Sequence, residues 1–306
     1  MLLSNLPGSI PLGRISSIPI RLHILFFFTL VVQLLGSIYY GAWHVLLWFL
    51  LLGPVLLSTV LFHELGHCLA ARSVGGVVHG ILLWPLGGLA FIGHNAGPKK
   101  DMWVAVAGPL THIPCVAFWV AILFPATKNA TGSYDVALEL PSPEGAGLWQ
   151  ALCVGAIIMN ISLFAFNLCV PAYPLDGGRI FVDLLLVAGV EEYTAAKITI
   201  GIAVPIGVAI IIFGGVIFQM VTILVGCFIL YSTYKLWTYV STGTLLQHPM
   251  FSYTEQQQEP FSGLPMSMDP NHVYGTQPGP GAKQPAGVQM NVDTERLNTA
   301  PLSAKV

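Results

Sequence analysis

The sequence predicts an all-α polytopic membrane protein with about six transmembrane helices. Three observations predict this class: 8% of the 306 residues are charged, 55% are hydrophobic, and the mean hydropathy is +0.74. A soluble domain normally carries about three times that share of charge. The 12 basic and 14 acidic residues nearly balance and form no basic stripe. The composition therefore excludes a soluble cytosolic enzyme and a nucleic-acid-binding protein.

The predicted spans are apolar runs of about 20 residues, the length of helix that crosses a bilayer. In chain order they cover residues 22–40, 45–72, 103–124, 149–170, about 195–214 and about 215–237. Pro54 interrupts the second span, and the pair Gly214-Gly215 divides the last long uncharged stretch into two. The apolar segment 180–190 is too short to cross and is interpreted as a half-helix or an interfacial piece.

The distribution of basic residues predicts how these spans are oriented. Lys and Arg accumulate on the cytosolic side of membrane proteins. With the N-terminus inside, all of the 12 Lys and Arg residues except Lys128 lie on the cytosolic side. Lys128 belongs to an outer loop at 125–148, which also carries the N-glycosylation triplet Asn129-Ala130-Thr131. The sequence thus predicts cytosolic N- and C-termini in a lipid bilayer.

The chain divides into two predicted regions. Residues 1–240 form the transmembrane core, and residues 241–306 are rich in Gln, Pro, Gly, Ser and Asn. Such a segment buries too little apolar surface to fold, so we expect a disordered cytoplasmic tail. The 5 cysteines show no CxxC spacing and predict no disulfide framework.

A metal-binding pattern stands at the inner end of the second span, in His63-Glu64-Leu65-Gly66-His67. Helical residues four apart share a face, so both imidazoles can bind one metal ion, and Glu64 can hold a metal-bound water beside them. This is the H-E-x-x-H arrangement of zinc hydrolases. It follows an uncharged run from Val45, and ionisable groups inside a membrane are usually functional. Alternatively, the histidines pack in a helix bundle and Glu64 snorkels to the cytosol.

Asp176 is the candidate third ligand, because catalytic zinc usually has three protein ligands. It lies in the segment Pro-Ala-Tyr-Pro-Leu-Asp-Gly-Gly at 171–178, and the topology brings it to the same inner leaflet as His67. The Pro and Gly residues predict a broken helix, which is tolerated at membrane depth where it lines a cavity. The alternative is a structural acid that pairs with Arg179 at the membrane surface. The first interpretation predicts one Zn²⁺ ion per chain.

With these two motifs the sequence resembles the site-2 protease family, membrane-embedded zinc metalloproteases that cut within or next to transmembrane segments. The resemblance covers most of residues 15–240 and includes Trp-Pro-Leu-Gly-Gly at 84–88 between the motifs. It implies that zinc is bound by two histidines and one aspartate and that a glutamate activates water. Those roles fall on His63, His67, Asp176 and Glu64, in that order. We expect the small form of the family, without PDZ or CBS modules.

The resemblance also implies residues that contact the substrate. Asn167, which precedes the Leu-Asp-Gly motif, is implied to position the substrate or polarise its carbonyl. Many members carry AGPxxN on the third span, where this chain reads Ala-Gly-Pro-Leu-Thr-His at 107–112. His112 therefore replaces the Asn, and it either donates a hydrogen bond to the substrate or is a packed core histidine.

The uncharged segment 77–93 predicts two short strands, because Pro85 and the pair Gly87-Gly88 stand in its middle. The family has a membrane-embedded β-hairpin at this place. An open strand edge can bind an unwound substrate by β-augmentation, which makes Gly87 and Gly88 candidate substrate-binding residues. The predicted architecture is therefore a helical bundle with this hairpin and a zinc site near the cytosolic leaflet.

These observations predict an intramembrane zinc endopeptidase whose partner is a transmembrane protein substrate. Zinc activates the water, and Glu64 takes its proton and passes it to the leaving amine. One alternative is a metal transporter, which needs a relay of polar ligands through several spans. Another is a non-catalytic membrane-binding relative, which the intact His-Glu-His-Asp set disfavours. A prenyl-protein endopeptidase would instead need a later Glu ligand.

Overall fold

A computed structural model describes residues 7–94, 96–132 and 147–251 of the chain. Within these ranges the chain forms four strands and nine α-helices. The strands are β1 (Ser9–Ile15), β2 (Ile18–His23), β3 (Val77–Trp84) and β4 (Gly87–Gly93). The helices are α1 (Leu25–Ser37), α2 (Ala42–Leu50), α3 (Leu56–Ser73), α4 (Pro98–Leu110), α5 (His112–Thr131), α6 (Leu148–Cys169), α7 (Asp176–Val187), α8 (Glu192–Val216) and α9 (Met220–Ser241).

Five helical segments in the described part of the chain are long and apolar enough to cross a membrane. They are Ala42–Ser73, Pro98–Asn129, Leu148–Cys169, Glu192–Val216 and Met220–Ser241. They correspond to the second to sixth predicted spans. The first predicted span, 22–40, differs: β2 ends at His23, and the apolar helix Leu25–Tyr40 that follows is shorter than a span. The described residues therefore hold five such helices where six were predicted.

The described chain is mostly helical, as predicted, but its sheet is larger than the predicted hairpin: it has four strands in the order β1-β2-β3-β4. The outer pairs are antiparallel and the central pair β2–β3 is parallel. Residues Ile18–His23 alternate between buried and partly buried, the period of a half-buried strand, although the uncharged run that begins at Leu22 also suits a helix. The predicted hairpin is confirmed as β3 and β4, joined between Trp84 and Gly87. Its depth in a membrane stays a prediction.

The second span is continuous but irregular at the predicted interruption. A π-helical turn, Leu51–Val55, contains Pro54 and joins α2 to α3. Proline has no N–H to donate, so a helix accommodates it by a local change of hydrogen bonding. Beyond this turn α3 runs to Ser73, and it packs against β3, β4 and α4. The sheet core also packs on this helix, through Cys68 and Ala71.

The C-terminal part of the described chain extends the core beyond the predicted boundary at residue 240. The short helix α7 confirms the half-helix expected near 180–190. After α9, the side chains of Leu245, Met250 and Phe251 are buried in one cluster with Val182 of α7. The packed core therefore continues to Phe251. Residues 252–306 of the predicted tail, and most of the predicted outer loop, lie outside the described residues.

Candidate metal centre

The middle of α3 carries His63, Glu64 and His67, and all three side chains are buried. Close packing of α4 on α3 encloses them. A Cβ at Gly66 would lie 2.6 Å from the carbonyl oxygen of Ala107, so a larger residue would push the two helices apart. Glycine at position 66 of the H-E-x-x-H motif thus allows α4 to cover the histidines.

Asp176, the first residue of α7, meets the two histidines. Its Oδ2 lies 3.0 Å from Nε2 of His63, and its Oδ1 lies 3.2 Å from Nε2 of His67. The two Nε2 atoms are 3.1 Å apart. Among the described residues, this is the one group of three His, Cys, Asp or Glu side chains that could hold a metal ion. The structure therefore brings together the three side chains that the sequence predicted as ligands.

The chemistry of this donor set fits zinc. Nδ1 of His67 lies 2.8 Å from the carbonyl oxygen of Val104, which can only accept, so Nδ1–H donates and Nε2 presents a lone pair. Oδ2 of Asp176 is buried and makes no hydrogen bond, although it lies close to His63. Such an oxygen is costly unless a cation or donor compensates it. Tetrahedral zinc with bonds of about 2.0 Å separates its ligands by roughly 3.3 Å, close to the observed distances.

Glu64 lies beside the three ligand atoms and against the edge strand. The backbone of Ala90 in β4 hydrogen-bonds to Glu64. A Cβ at Gly88 would collide with the Glu64 side chain, so glycine is required for this close approach. Gly87, at the hairpin turn, has φ +137° and open space around it. Gly88 thus leaves room for Glu64, and contact of either glycine with a substrate stays a prediction.

Gly108 of α4 is a site residue that the sequence reasoning missed. A Cβ at this position would overlap the imidazole ring of His67. Val104, one turn earlier on the same helix, accepts the hydrogen bond from that ring. The sequence did hold an indication, because Gly108 is the glycine of the AGPxxN motif. Of that motif, only the last position, residue 112, was considered as a candidate site residue.

The two remaining predicted substrate residues lie in different surroundings. Asn167 is partly buried near the end of α6, and its Nδ2 donates to the carbonyl oxygen of Leu163 over 3.1 Å. His112 is 2% exposed, and its Nε2 lies 3.2 Å from Nδ1 of His63. His112 is therefore packed behind a ligand, a placement that does not support the predicted hydrogen bond to substrate.

A second polar cluster ties α4 to α7. The carboxylate of Asp101 accepts from Arg179, one turn after Asp176, and Oδ1 also lies 2.8 Å from Nε2 of His94. Arg179 thus pairs with Asp101, which corrects the alternative in which it pairs with Asp176. The cluster holds the start of α7 against α4, the helix that contacts His67. Through His94 it also holds the end of β4 against α4. Sequence reasoning missed Asp101, because an acid near Lys99 and Lys100 resembles an ordinary surface charge.

Together these features define a helical membrane protein with a buried His-His-Asp metal centre and a carboxylate beside it. Residues 52–214, more than half of the chain, match the profile of Peptidase family M50. The zinc metalloprotease MJ0392 of Methanocaldococcus jannaschii is 32% identical over 225 residues, which are 72% of this chain and 58% of that relative. Rip3 of Mycobacterium tuberculosis is 30% identical over 254 residues, 78% of this chain and 61% of Rip3.

A solved structure supports the same relationship. The Site-2 Protease from Methanocaldococcus jannaschii has a TM-score of 0.52 and 26% identity, covering 74% of this chain and 94% of that one. The chain therefore belongs to peptidase family M50 and is a multi-pass membrane protein. The relatives imply zinc as its metal. The chain spans about three fifths of the length of the curated relatives it matches.

Proposed function

We propose that the protein is an intramembrane zinc endopeptidase that cleaves within or next to transmembrane segments. The observation that carries this proposal is the convergence of His63, His67 and Asp176, with Glu64 beside them, among helices of membrane-spanning length. Zinc bound there would lower the pKa of an attacking water and polarise the scissile carbonyl. The membership in family M50 supports the same reaction class.

Each polar side chain of the centre has a role in this reaction. His63, His67 and Asp176 would hold the metal through Nε2, Nε2 and the carboxylate. Glu64 takes the proton of the attacking water and delivers it to the leaving amine, the work of a general base and then a general acid. Its hydrogen bond from the backbone of Ala90 holds the carboxylate at the strand edge, where the peptide is expected.

The substrate is proposed to bind as an extended strand along β4. In the described chain β4 pairs with β3 and has no second strand on its other side. Main-chain hydrogen bonding to such an edge suits many sequences, because it does not depend on side chains. A transmembrane helix hides its carbonyls in internal hydrogen bonds, so the segment to be cut must first unwind. The contact of Gly88 and Ala90 with Glu64 supports this site, because it brings the edge next to the reacting groups.

The placement in the membrane follows from the charge distribution. We propose that both termini are cytosolic, that the zinc site lies near the cytosolic leaflet, and that residues 252–306 form a cytoplasmic tail. Asn167 is proposed to contact the substrate from the end of α6. A metal transporter is the rival function, but the described residues hold one candidate metal cluster and not a series across several helices.

The substitution Glu64→Gln tests the proposal. The full chain is purified in detergent, loaded with zinc and incubated with a fluorescent transmembrane peptide. We expect cleavage to fall by at least about 100-fold, the size of a general-base contribution, while zinc stays bound. The matched control is Glu192→Gln, which changes an exposed glutamate of α8 and should cleave like the wild type. Wild-type cleavage by Glu64→Gln would overturn the proposal.

A further inference from the structure

His63 is backed by two buried polar side chains that have no role in the reaction above. Nε2 of His112 in α5 lies 3.2 Å from Nδ1 of His63. Nδ1 of His112 lies in turn 3.0 Å from Oδ1 of Asn160 in α6. His112 is 2% exposed and Asn160 is 0% exposed, so water does not compete for these hydrogen bonds. Three side chains on three helices thus form one buried chain.

The hydrogen bonding of the Asn160 amide determines which atom donates in each hydrogen bond of this chain. Nδ2 of Asn160 lies 2.9 Å from the carbonyl oxygen of Ala156, which can only accept, and 3.4 Å from Oγ1 of Thr59. The amide nitrogen of Asn160 is therefore the donor there, and its Oδ1 faces His112 as an acceptor. A neutral imidazole has one donor and one acceptor nitrogen. His112 consequently donates from Nδ1 to Asn160 and accepts at Nε2.

The same order continues to the metal centre. Because Nε2 of His112 accepts, Nδ1–H of His63 donates to it, and Nε2 of His63 keeps its lone pair. That lone pair faces Nε2 of His67 and the carboxylate of Asp176. The arrangement leaves two nitrogen lone pairs and the two carboxylate oxygens with contacts of 3.0 to 3.2 Å, and these electron-rich atoms repel one another unless a cation lies between them.

The two histidine ligands are therefore oriented by different means. His67 donates to the main-chain carbonyl of Val104, whose position is set by α4. The ring of His63 is instead oriented by the side chain of His112 from α5. The ring of His112 is in turn oriented by the side chain of Asn160 from α6. Partners of this kind fix the tautomer and ring orientation of a ligand and raise its basicity.

We infer that His112, held by Asn160, is a positioning residue for the ligand His63. It keeps the His63 ring turned with Nε2 toward the metal, and it does not contact the substrate. The inference rests on the metal centre of the proposed function but not on proteolysis. The sequence alone allowed His112 either to contact the substrate or to pack in the core. The inference gives it a third role, support of the metal site.

Zinc affinity in three variants at position 112 tests this role. Loss of such a partner typically weakens metal binding by about 10- to 100-fold, which is the change expected for His112→Leu. Glutamine can accept from His63 and donate to Asn160, so His112→Gln should recover most of the affinity. Asparagine keeps the contact with Asn160 but is too short for His63, so His112→Asn should stay weak.

The measurement is chelator competition on the full chain in detergent, with every variant made in the Glu64→Gln background so that catalysis plays no part. His44→Leu is the control, because His44 lies 19 residues before His63 on the same helical segment, about 28 Å away along the helix axis. Thermal unfolding of the metal-free proteins separates loss of affinity from loss of fold. The absorption spectrum of the Co²⁺-loaded chain should change in His112→Leu and return in His112→Gln.

The outcomes distinguish the inference from the proposed function. Equal zinc affinity in the parent and His112→Leu would overturn the positioning role and leave the protease proposal standing. If His112→Leu does not fold, equal affinities of His112→Gln and His112→Asn would overturn it instead. A parent chain that binds no zinc would overturn both.

Discussion

The metal centre and the cluster around His248 both bury histidine, but they differ in what surrounds the ring. At the metal centre two Nε2 lone pairs and a carboxylate converge. His248 instead lies among aromatic rings, with centroids 5.1 Å from Tyr173 and 5.2 Å from Tyr239, and its Nδ1 accepts from the backbone of Met250. Burial of a histidine is thus not what marks a metal ligand. The convergence of unsatisfied lone pairs on one point marks it.

Gly108→Ala should weaken metal binding most, although it changes none of the ligands. In Gly108→Ala the new methyl group would overlap the ring of His67, which must then move away from the metal position. We expect zinc affinity to fall by about 100-fold, the upper end of effects from residues that support a ligand. Chelator competition on the purified chain measures it. Gly215→Ala is the control, because a Cβ there meets no atom within 4 Å.

The pH dependence of stability should show a smaller effect, which comes from His248 in its aromatic cluster. Burial, together with the charge of Lys235, lowers the pKa of His248 to about 4 from its ordinary value of 6.5. The folded state therefore favours the neutral ring. Its contribution is complete above pH 6.5 and is lost as the pH falls from 6.5 toward 4. By pH 5 the loss amounts to about 2 kcal/mol in the free energy of unfolding.

The difference in Tm between the wild type and His248→Leu isolates this contribution from other acid effects. The wild-type Tm should fall between pH 7 and pH 5 more steeply than the Tm of the variant. Parallel pH profiles would contradict a neutral, packed His248. They would also mean that His248 does not differ from the metal-centre histidines in the way described above.

The part of the metal centre encoded within one helix was predictable from spacing. His63 and His67 stand four residues apart, and the Pro- and Gly-rich segment around Asp176 predicted where the chain leaves a helix. Two helical residues four positions apart lie on the same face of any helix, so the pairing of the two histidines can be inferred without tertiary information.

The supporting contacts were not predictable, because they join helices that are distant in sequence. Asn160 reaches His112 across 48 positions, and Arg179 reaches Asp101 across 78. No periodicity encodes such pairs. Strand β2 was missed for a related reason: its alternation lasts six residues, and its partners β1 and β3 are what select a strand over a helix.

We propose that His63, His67 and Asp176 bind one zinc ion. The measurement is the zinc content of the full chain after dialysis against a weak chelator, for the wild type, Glu64→Gln and Asp176→Ala side by side. We expect about one zinc per chain in the first two proteins and almost none in the third. Full zinc content in Asp176→Ala would contradict it.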